Sequence, residues 1–354
     1  MESLNYYIQY GKNDLIGKSV EIADNHEVTF FLSGNKKAKK VFLQGSFCDS
    51  VLMKKVDGGW STTKRIQPGR NFYKFNVDGK DLIDKQNNLV DQHPNLGRTS
   101  ILYSENHVFE LDGYGNAGQV FVAGNFNGWI VGELEMARKG DVWQLPLYLP
   151  DGTYAYKFIV DGHWITDPNN PVVRPDGSGN YNSYLSMGDT NAFKLYGNLD
   201  AKEVRLAGNF NLWNYTELQM LRTESGWELH YALAPGMYEY KFVVDNEWIV
   251  DPNNPFQLIR NEGFNSLVCI KPNHVFKLRK HPKAAEVIVT GTFTDWTQRN
   301  FKMVLEKGVW KFPVYLPSGK YLYRFIVDGE IITDPENAQT EESEFGQSCS
   351  VLNL

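Results

Sequence analysis

Residues 120–129 read VFVAGNFNGW, 142–164 read VWQLPLYLPDGTYAYKFIVDGHW, 165–171 read ITDPNNP and 179–185 read GNYNSYL. Nearly the same text returns as VRLAGNFNLW at 204–213, GWELHYALAPGMYEYKFVVDNEW at 226–248, IVDPNNP at 249–255 and GFNSL at 263–267. The other two quarters of the chain hold worn copies. The tryptophan ahead of the central strands recurs at Trp60, Trp143, Trp227 and Trp310, at spacings of 83, 84 and 83. Tyr73-Lys74-Phe75, Tyr156-Lys157-Phe158, Tyr240-Lys241-Phe242 and Tyr323-Arg324-Phe325 keep the same intervals. Solenoid repeats run to roughly 20–50 residues and cannot bury a core alone. The longer unit here can close a small core of its own, so the chain reads as four beads.

The segments follow from that period. A polar lead-in occupies 1–18, and modules occupy 19–104, 105–188, 189–271 and 272–354. The joins, Ser186-Met187-Gly188-Asp189 and Ile270-Lys271-Pro272-Asn273, are too short for flexible tethers, so neighbours are expected to be semi-fixed. Helical periodicity is absent. Short aromatic-rich runs bounded by Gly, Pro, Asn and Asp are the signature of strands. Six to eight strands per unit imply an all-β chain of four tandem immunoglobulin-like β-sandwich modules.

Composition narrows the function. The 354 residues carry a net charge of −6 and no basic block, which speaks against nucleic acid and anionic membrane. The first residues lack the apolar run of a secretory signal, and no stretch is long and apolar enough to span a bilayer. Cys48, Cys269 and Cys349 sit at unrelated points of their repeats, so reduced thiols and a cytoplasmic location are expected. No Cys/His cluster has metal-ligand spacing, and no cofactor motif is present.

Turn chemistry fixes which side chains share a face. Asp161-Gly162 lies between two strands, where a type I′ turn needs positive φ at both positions; Asp78-Gly79, Asp245-Asn246 and Asp328-Gly329 match it. That loop pairs Val160 with His163, Ile159 with Trp164 and Lys157 with Thr166. Lys157, Ile159 and Trp164 then form one face, with Tyr156, Phe158 and Val160 on the other. An unpaired lysine is rarely buried, so the Lys157 face points outward and carries an exposed tryptophan. Lys241 and Trp248 pair in the same way. Such a tryptophan either covers a lysine stem or a neighbouring module, or stacks on a sugar ring as a contact surface. A further tryptophan recurs at Trp129, Trp213 and Trp296. Trp143 and its copies stand in all four repeats and read as core, whereas a residue lost in the worn copies reads as a site.

GNFNGW, YAYKFIVDGHW, DPNNP and YNSYL together resemble the glycogen-binding domain of the AMP-activated protein kinase β subunit, a family-48 carbohydrate-binding module. The resemblance covers nearly all of the second and third modules. It implies an immunoglobulin-like sandwich that binds α-1,4-glucan through two tryptophans, a lysine and an asparagine of the last loop. Carried over by motif, these are Trp129, Lys157, Trp164 and Asn182, and Trp213, Lys241, Trp248 and Asn265. The first module departs, with Ser50, Asp81 and Thr99 at three of the positions and only Lys74 kept. The fourth keeps Trp296 and Arg324 as weaker candidates, with Ile331 for the second tryptophan and Cys349 near the asparagine.

The expected function is therefore non-catalytic binding of glycogen, starch or maltooligosaccharide, compatible with carrying a protein partner to the glucan. A protein-interaction scaffold is the alternative. A glycosidase is a weaker one, because Asp161 and Asp245 serve hairpins while Asp167 and Asp251 serve Asp-Pro bends. The resemblance would allow kinase regulation, but no docking segment follows the fourth module in this sequence, so that role is not expected.

Overall fold

The computed structural model describes residues 19–23, 26–260, 263–344 and 346–354. The lead-in assigned to 1–18 lies outside them. Strands and three short 3-10 turns, at Asn125–Asn127, Asn209–Asn211 and Thr292–Thr294, make up the regular structure of the described residues. Among the described residues the second and fourth quarters carry eight strands, within the six to eight expected, while the first and third carry ten and nine because hairpins add strands of two or three residues. Among the described residues no helix is long and apolar enough to cross a membrane.

The chain forms two compact units. One comprises the chain through Pro150 with Tyr154–Val173 and Asn182–Leu185; the other comprises Asp151–Thr153, Arg174–Tyr181 and Ser186–Leu354. In the first unit, the opening quarter pairs a four-stranded sheet with a six-stranded one whose centre is Val41–Gly45, Gly69–Val77 and Gly97–Ser104. The second quarter pairs a three-stranded sheet centred on Val142–Leu147 with one in which Gly152–Val160 lies between Val120–Gly124 and Tyr181–Met187. In the second unit, Gly236–Val244 and Lys320–Val327 take the same central place in the third and fourth quarters. The ladders joining these central strands to Val41–Gly45, Val120–Gly124, Val204–Gly208 and Val287–Gly291 are antiparallel, with one face packed inward and one outward.

The inward face explains the Tyr-x-Phe period. Val120, Val122, Tyr156 and Phe158 are buried, as are Val204, Leu206, Tyr240 and Phe242, and a buried aromatic of this kind contributes about 1.5–3 kcal/mol. Trp143 is buried with its indole N–H donated to the Tyr114 carbonyl at 2.9 Å. Trp60, Trp227 and Trp310 donate likewise to Asn35, Asn198 and His281, so these tryptophans are core in every quarter.

The DPNNP stretch is a tyrosine staple. Tyr156 donates its hydroxyl to Asp167 at 2.6 Å, and the Asp167 amide donates to the Ser183 hydroxyl at 2.8 Å. Asn170 donates to the Tyr156 oxygen and to the Tyr184 carbonyl, closing the loop onto the last strand. Tyr73–Asp84, Tyr240–Asp251 and Tyr323–Asp334 repeat the bond at 2.6–2.7 Å. Burial and then the neighbouring carboxylate push the Tyr156 and Tyr240 hydroxyls well above the usual phenol range, so they remain donors.

The hairpin aspartates match the turn reading. Asp161 and Gly162 have φ of 47° and 85°, and the Asp161 carboxylate accepts from the Gly118 and Gln119 amides. The ladder beyond holds Val160–His163, Ile159–Trp164 and Phe158–Ile165, then ends. The expected Lys157–Thr166 pair is not formed, because the chain turns away into the proline-bounded loop.

Candidate functional site

The outer face of the second module is built from the hairpin register. Phe121, Ile159 and Trp164 lie side by side across three strands, and Ala123 lies beside Lys157. Trp164 is 44% exposed, while Ile159, between Phe121 and Trp164, is only 2% exposed. The third module repeats this with Arg205, Val243 and Trp248; Trp248 is 43% exposed and Val243 is 2%. Each exposed ring therefore has a buried aliphatic as its cross-strand neighbour.

The second tryptophan arrives by a different device. Gly124 ends its strand, and a methyl added there would lie 2.4 Å from the Ala155 carbonyl oxygen, so only glycine lets the strands meet. The chain then makes the Asn125–Asn127 turn, with Phe126 buried and Gly128 and Trp129 both left-handed, at φ 62° and 61°. A tryptophan in that region costs about 1–3 kcal/mol, so the loop must over-determine it. Asn127 does so: its carbonyl accepts from the Gly124 amide at 3.0 Å and its amide donates to the Ile130 carbonyl at 3.0 Å. The Trp129 amide returns to the Gly124 carbonyl at 2.9 Å. Asn211 makes the corresponding bonds to Gly208 and Asn214, with Trp213 at φ 59°. This strain was not legible from the motif.

The two devices bring two indoles together. Trp129 and Trp164 have centroids 6.2 Å apart and planes 46° apart; Trp213 and Trp248 repeat this at 6.2 Å and 49°. Lys157 and Lys241 are half-buried and have no hydrogen-bond or ion-pair partner among the described residues. Asn182 is 8% exposed, likewise without a hydrogen-bond partner among them. In the third module Trp213, Lys241, Trp248 and Asn265 line one groove of about 1190 Å³, shared with Asn209, Glu239, Ile259, Arg260 and Arg299. Sequence reading missed the last five. Glu239 was within reach, since a residue two before Lys241 shares its face.

Glu239 is bound by Arg260 through Nε at 2.9 Å and by Asn265 at 2.8 Å. Burial pushes its carboxyl up, but the Arg260 and Asn265 bonds outweigh that and hold it below its ordinary value of 4.5. A depressed carboxyl contributes stability that is present above the ordinary value and lost as pH falls through the lower folded one. Glucan affinity of a Trp164→Ala chain, which leaves only the third-module groove, should therefore hold down to the ordinary carboxyl value of 4.5 and be lost only below it, as Glu239 takes up its proton. A titration of affinity against pH, beside the Trp248→Ala chain, checks this; identical acid limbs in the two variants would dismiss the pair's role.

The worn modules have closed the same ground. In the first, Asp81 stands opposite Asn76 and its carboxylate takes Lys74 at 2.6 Å, which holds the Asp81 carboxyl low. Lys74 also donates to the Leu96 carbonyl, and Thr99 to the Asp91 carbonyl. Cys48 occupies the position of Asn127, and the tryptophan loop is replaced by a tight hairpin pairing Gly45 with Cys48, with Ser50 inside the strand Cys48–Leu52. In the fourth, Thr294 replaces the asparagine but still accepts from the Gly291 amide, and Trp296 stands at φ 57°. The Arg324 guanidinium covers that ring at 4.8 Å and binds Gln347, with Cys349 buried alongside.

The glycogen recognition site of AMP-activated protein kinase, as a family model, matches residues 106–194, 192–276 and 274–354. The chain belongs to this family. Its first quarter lies outside the three matches, consistent with the collapsed tryptophan loop there. Among curated relatives of this glycogen-recognition family, the β-1 subunit of 5'-AMP-activated protein kinase from Sus scrofa is 41% identical over 66 residues, 19% of this chain and 51% of that one. The β-1 subunit from Rattus norvegicus is 34% identical over 100 residues, 28% of this chain and 36% of that one. The chain thus spans about half or less of the length of these relatives. A maltogenic amylase from S. marinus aligns with 72% of this chain and 30% of its own, at 12% identity and a TM-score of 0.22, too slight a likeness to bear on function.

Proposed function

We propose that this chain is a non-catalytic reader of α-1,4-glucan, glycogen or starch, with sites on the modules at 105–188 and 189–271. The observation that carries the reading is the twin indole pair, 6.2 Å apart and tilted by 46° in one module and 49° in the other. An α-1,4 linkage turns each glucose relative to the last, so two inclined aromatic faces suit consecutive residues of a curved chain. Beside each pair, Lys157 or Lys241 is a donor for ring hydroxyls, and Asn182 or Asn265 adds an amide. The modules at 19–104 and 272–354 have their cations engaged internally and serve as non-binding or weakly binding neighbours. A cytoplasmic setting fits three cysteines that carry no disulfide.

Catalysis finds little support in the carboxylates. A glycosidase needs one free acid and one free base or nucleophile facing the bond. Asp161 and Asp245 each accept from two backbone amides, and Asp167 and Asp251 each accept from a buried tyrosine. Incubated with glycogen, the purified chain should co-sediment with the polymer and release no reducing sugar. Turnover that survives repurification and disappears in Asp167→Asn would overturn the non-catalytic reading; absence of co-sedimentation with any α-glucan would leave only a scaffold. The curated relatives are named as kinase subunits, which favours, as a second reading, a protein partner carried to the glucan. Capture of a partner that persists in a chain unable to bind glucan would favour it.

A further inference from the structure

The groove of the third module is not made by that module alone. The Ile259 amide, on the edge strand Gln257–Arg260, donates to the Asn300 side chain at 2.7 Å, seating the loop after Trp296 against it. The residue before Asn300 is Arg299, which lines the groove with Trp213, Lys241, Trp248 and Asn265. Among the described residues, three cations and one carboxylate line this groove, within a chain of net charge −6. Arg260 is consumed by Glu239, which it grips through Nε and Nη2, and by the Ile259 carbonyl. Lys241 and the exposed Arg299 have no hydrogen-bond or ion-pair partner among the described residues.

Two cations without a side-chain partner among the described residues exceed what a neutral oligosaccharide needs. Hydroxyls are served as well by amides and by one lysine, whereas an arginine fork can meet two oxygens of a phosphate with two parallel N–H bonds. The second module offers no such pairing on its own strand, because buried Ala155 stands where the third has Glu239. We infer that the loop of the fourth module completes the third module's groove through Arg299, and that this composite groove prefers α-glucan bearing phosphate monoesters over the unmodified chain. The inference rests on the glucan-binding reading and gives the worn fourth module a role that its own covered tryptophan does not.

The chemistry sets the size of the effect. A phosphate monoester carries about −1.5 to −2 charges at pH 7. Each cation contributes a factor of about two to five, so Lys241 and Arg299 together should give a preference of about four- to twenty-five-fold at low salt. Salt should erode it, since Arg299 is exposed and Lys241 is only half-buried.

The experiment is calorimetry on the full chain carrying Trp164→Ala, so that the third-module site alone reports. The ligands are maltoheptaose, the same heptaose bearing one 6-phosphate, and inorganic phosphate. The phosphorylated heptaose should bind about four- to twenty-five-fold tighter than the neutral one, the ratio falling as salt rises. Arg299→Ala should cut the ratio to the factor of about two to five left by Lys241, and Arg299→Lys should restore part of it. Equal affinities in the parent chain, or a ratio that Arg299→Ala does not move, would overturn the composite groove. Inorganic phosphate competing as well as the phosphorylated sugar would overturn it too, as a phosphate site without glucan. Failure to bind either oligosaccharide would instead bring down the glucan-binding reading on which it stands.

Discussion

A chain carrying both Trp164→Ala and Trp248→Ala should no longer bind glycogen, and each single substitution should weaken binding to the polymer by about a hundredfold. Each substitution removes the exposed member of one indole pair, and stacking on an aromatic is worth roughly 1–3 kcal/mol per ring by analogy with nucleic-acid bases. On a short oligosaccharide that is the whole loss, confined to one site. On a polymer with many chain ends the two sites of one chain engage together, and linkage of this kind raises avidity by about 10²–10⁴ without a new contact. Losing one site therefore loses the linkage as well. Sedimentation with glycogen beside calorimetry with maltoheptaose separates the two terms. If each single variant merely halves polymer capacity at unchanged apparent affinity, the modules act independently and the avidity argument fails. Because Trp164 and Trp248 cover Ile159 and Val243, thermal melting of the variants must accompany the binding data.

The second large effect is expected at a residue that touches no ligand. Asn127→Ala, in a Trp248→Ala background, should abolish the remaining glucan binding as completely as Trp129→Ala does. Asn127 satisfies the Gly124 amide and the Ile130 carbonyl from a fully buried position. Removing it orphans both groups at about 1–3 kcal/mol, while Trp129 still carries the strain of its left-handed backbone. The loop then has every reason to relax and take the indole with it. In the first module, with Cys48 at this position and Ser50 in place of the tryptophan, the loop is a tight hairpin instead. The fourth shows the rescue, since Thr294 accepts from the Gly291 amide at 3.0 Å and Trp296 is kept in place. Asn127→Thr should thus retain binding within about threefold, a loss below the ~1 kcal/mol typical of one hydrogen bond. Affinity for maltoheptaose checks both variants, and an Asn127→Ala chain that binds within about twofold of its parent would show the loop to be held by other contacts.

Much of this architecture was written locally. The Asp-Gly and Asp-Asn turns demand positive φ at two successive positions, so they specify hairpins; from them the register of Val160–His163 and Ile159–Trp164 follows by counting. Register in turn decides faces, because side chains alternate with a period of two. That is why the outward Lys157–Trp164 face, the inward Tyr156–Phe158 face and the core role of Trp143 were all legible from one strand of text.

What the sequence by itself determined, then, was whatever depends on neighbours along the chain: the repeat, the hairpins, the faces and the residue types offered on them. Only the tertiary structure decided which of those offers remain open. Lys74 and Lys157 occupy the same place in the same motif, yet Lys74 is drawn off by Asp81 and Leu96 while Lys157 has no hydrogen-bond or ion-pair partner among the described residues. Trp296 and Trp129 share a left-handed backbone, yet Arg324 covers the ring of Trp296. Arg299 enters the groove of the third module from the loop of the fourth, about 58 positions beyond Lys241, where no periodicity points to it. The physical reason is common to all three. Hydrogen bonds, ion pairs and ring contacts act over a few ångströms, and only folding sets which groups from distant segments lie that close.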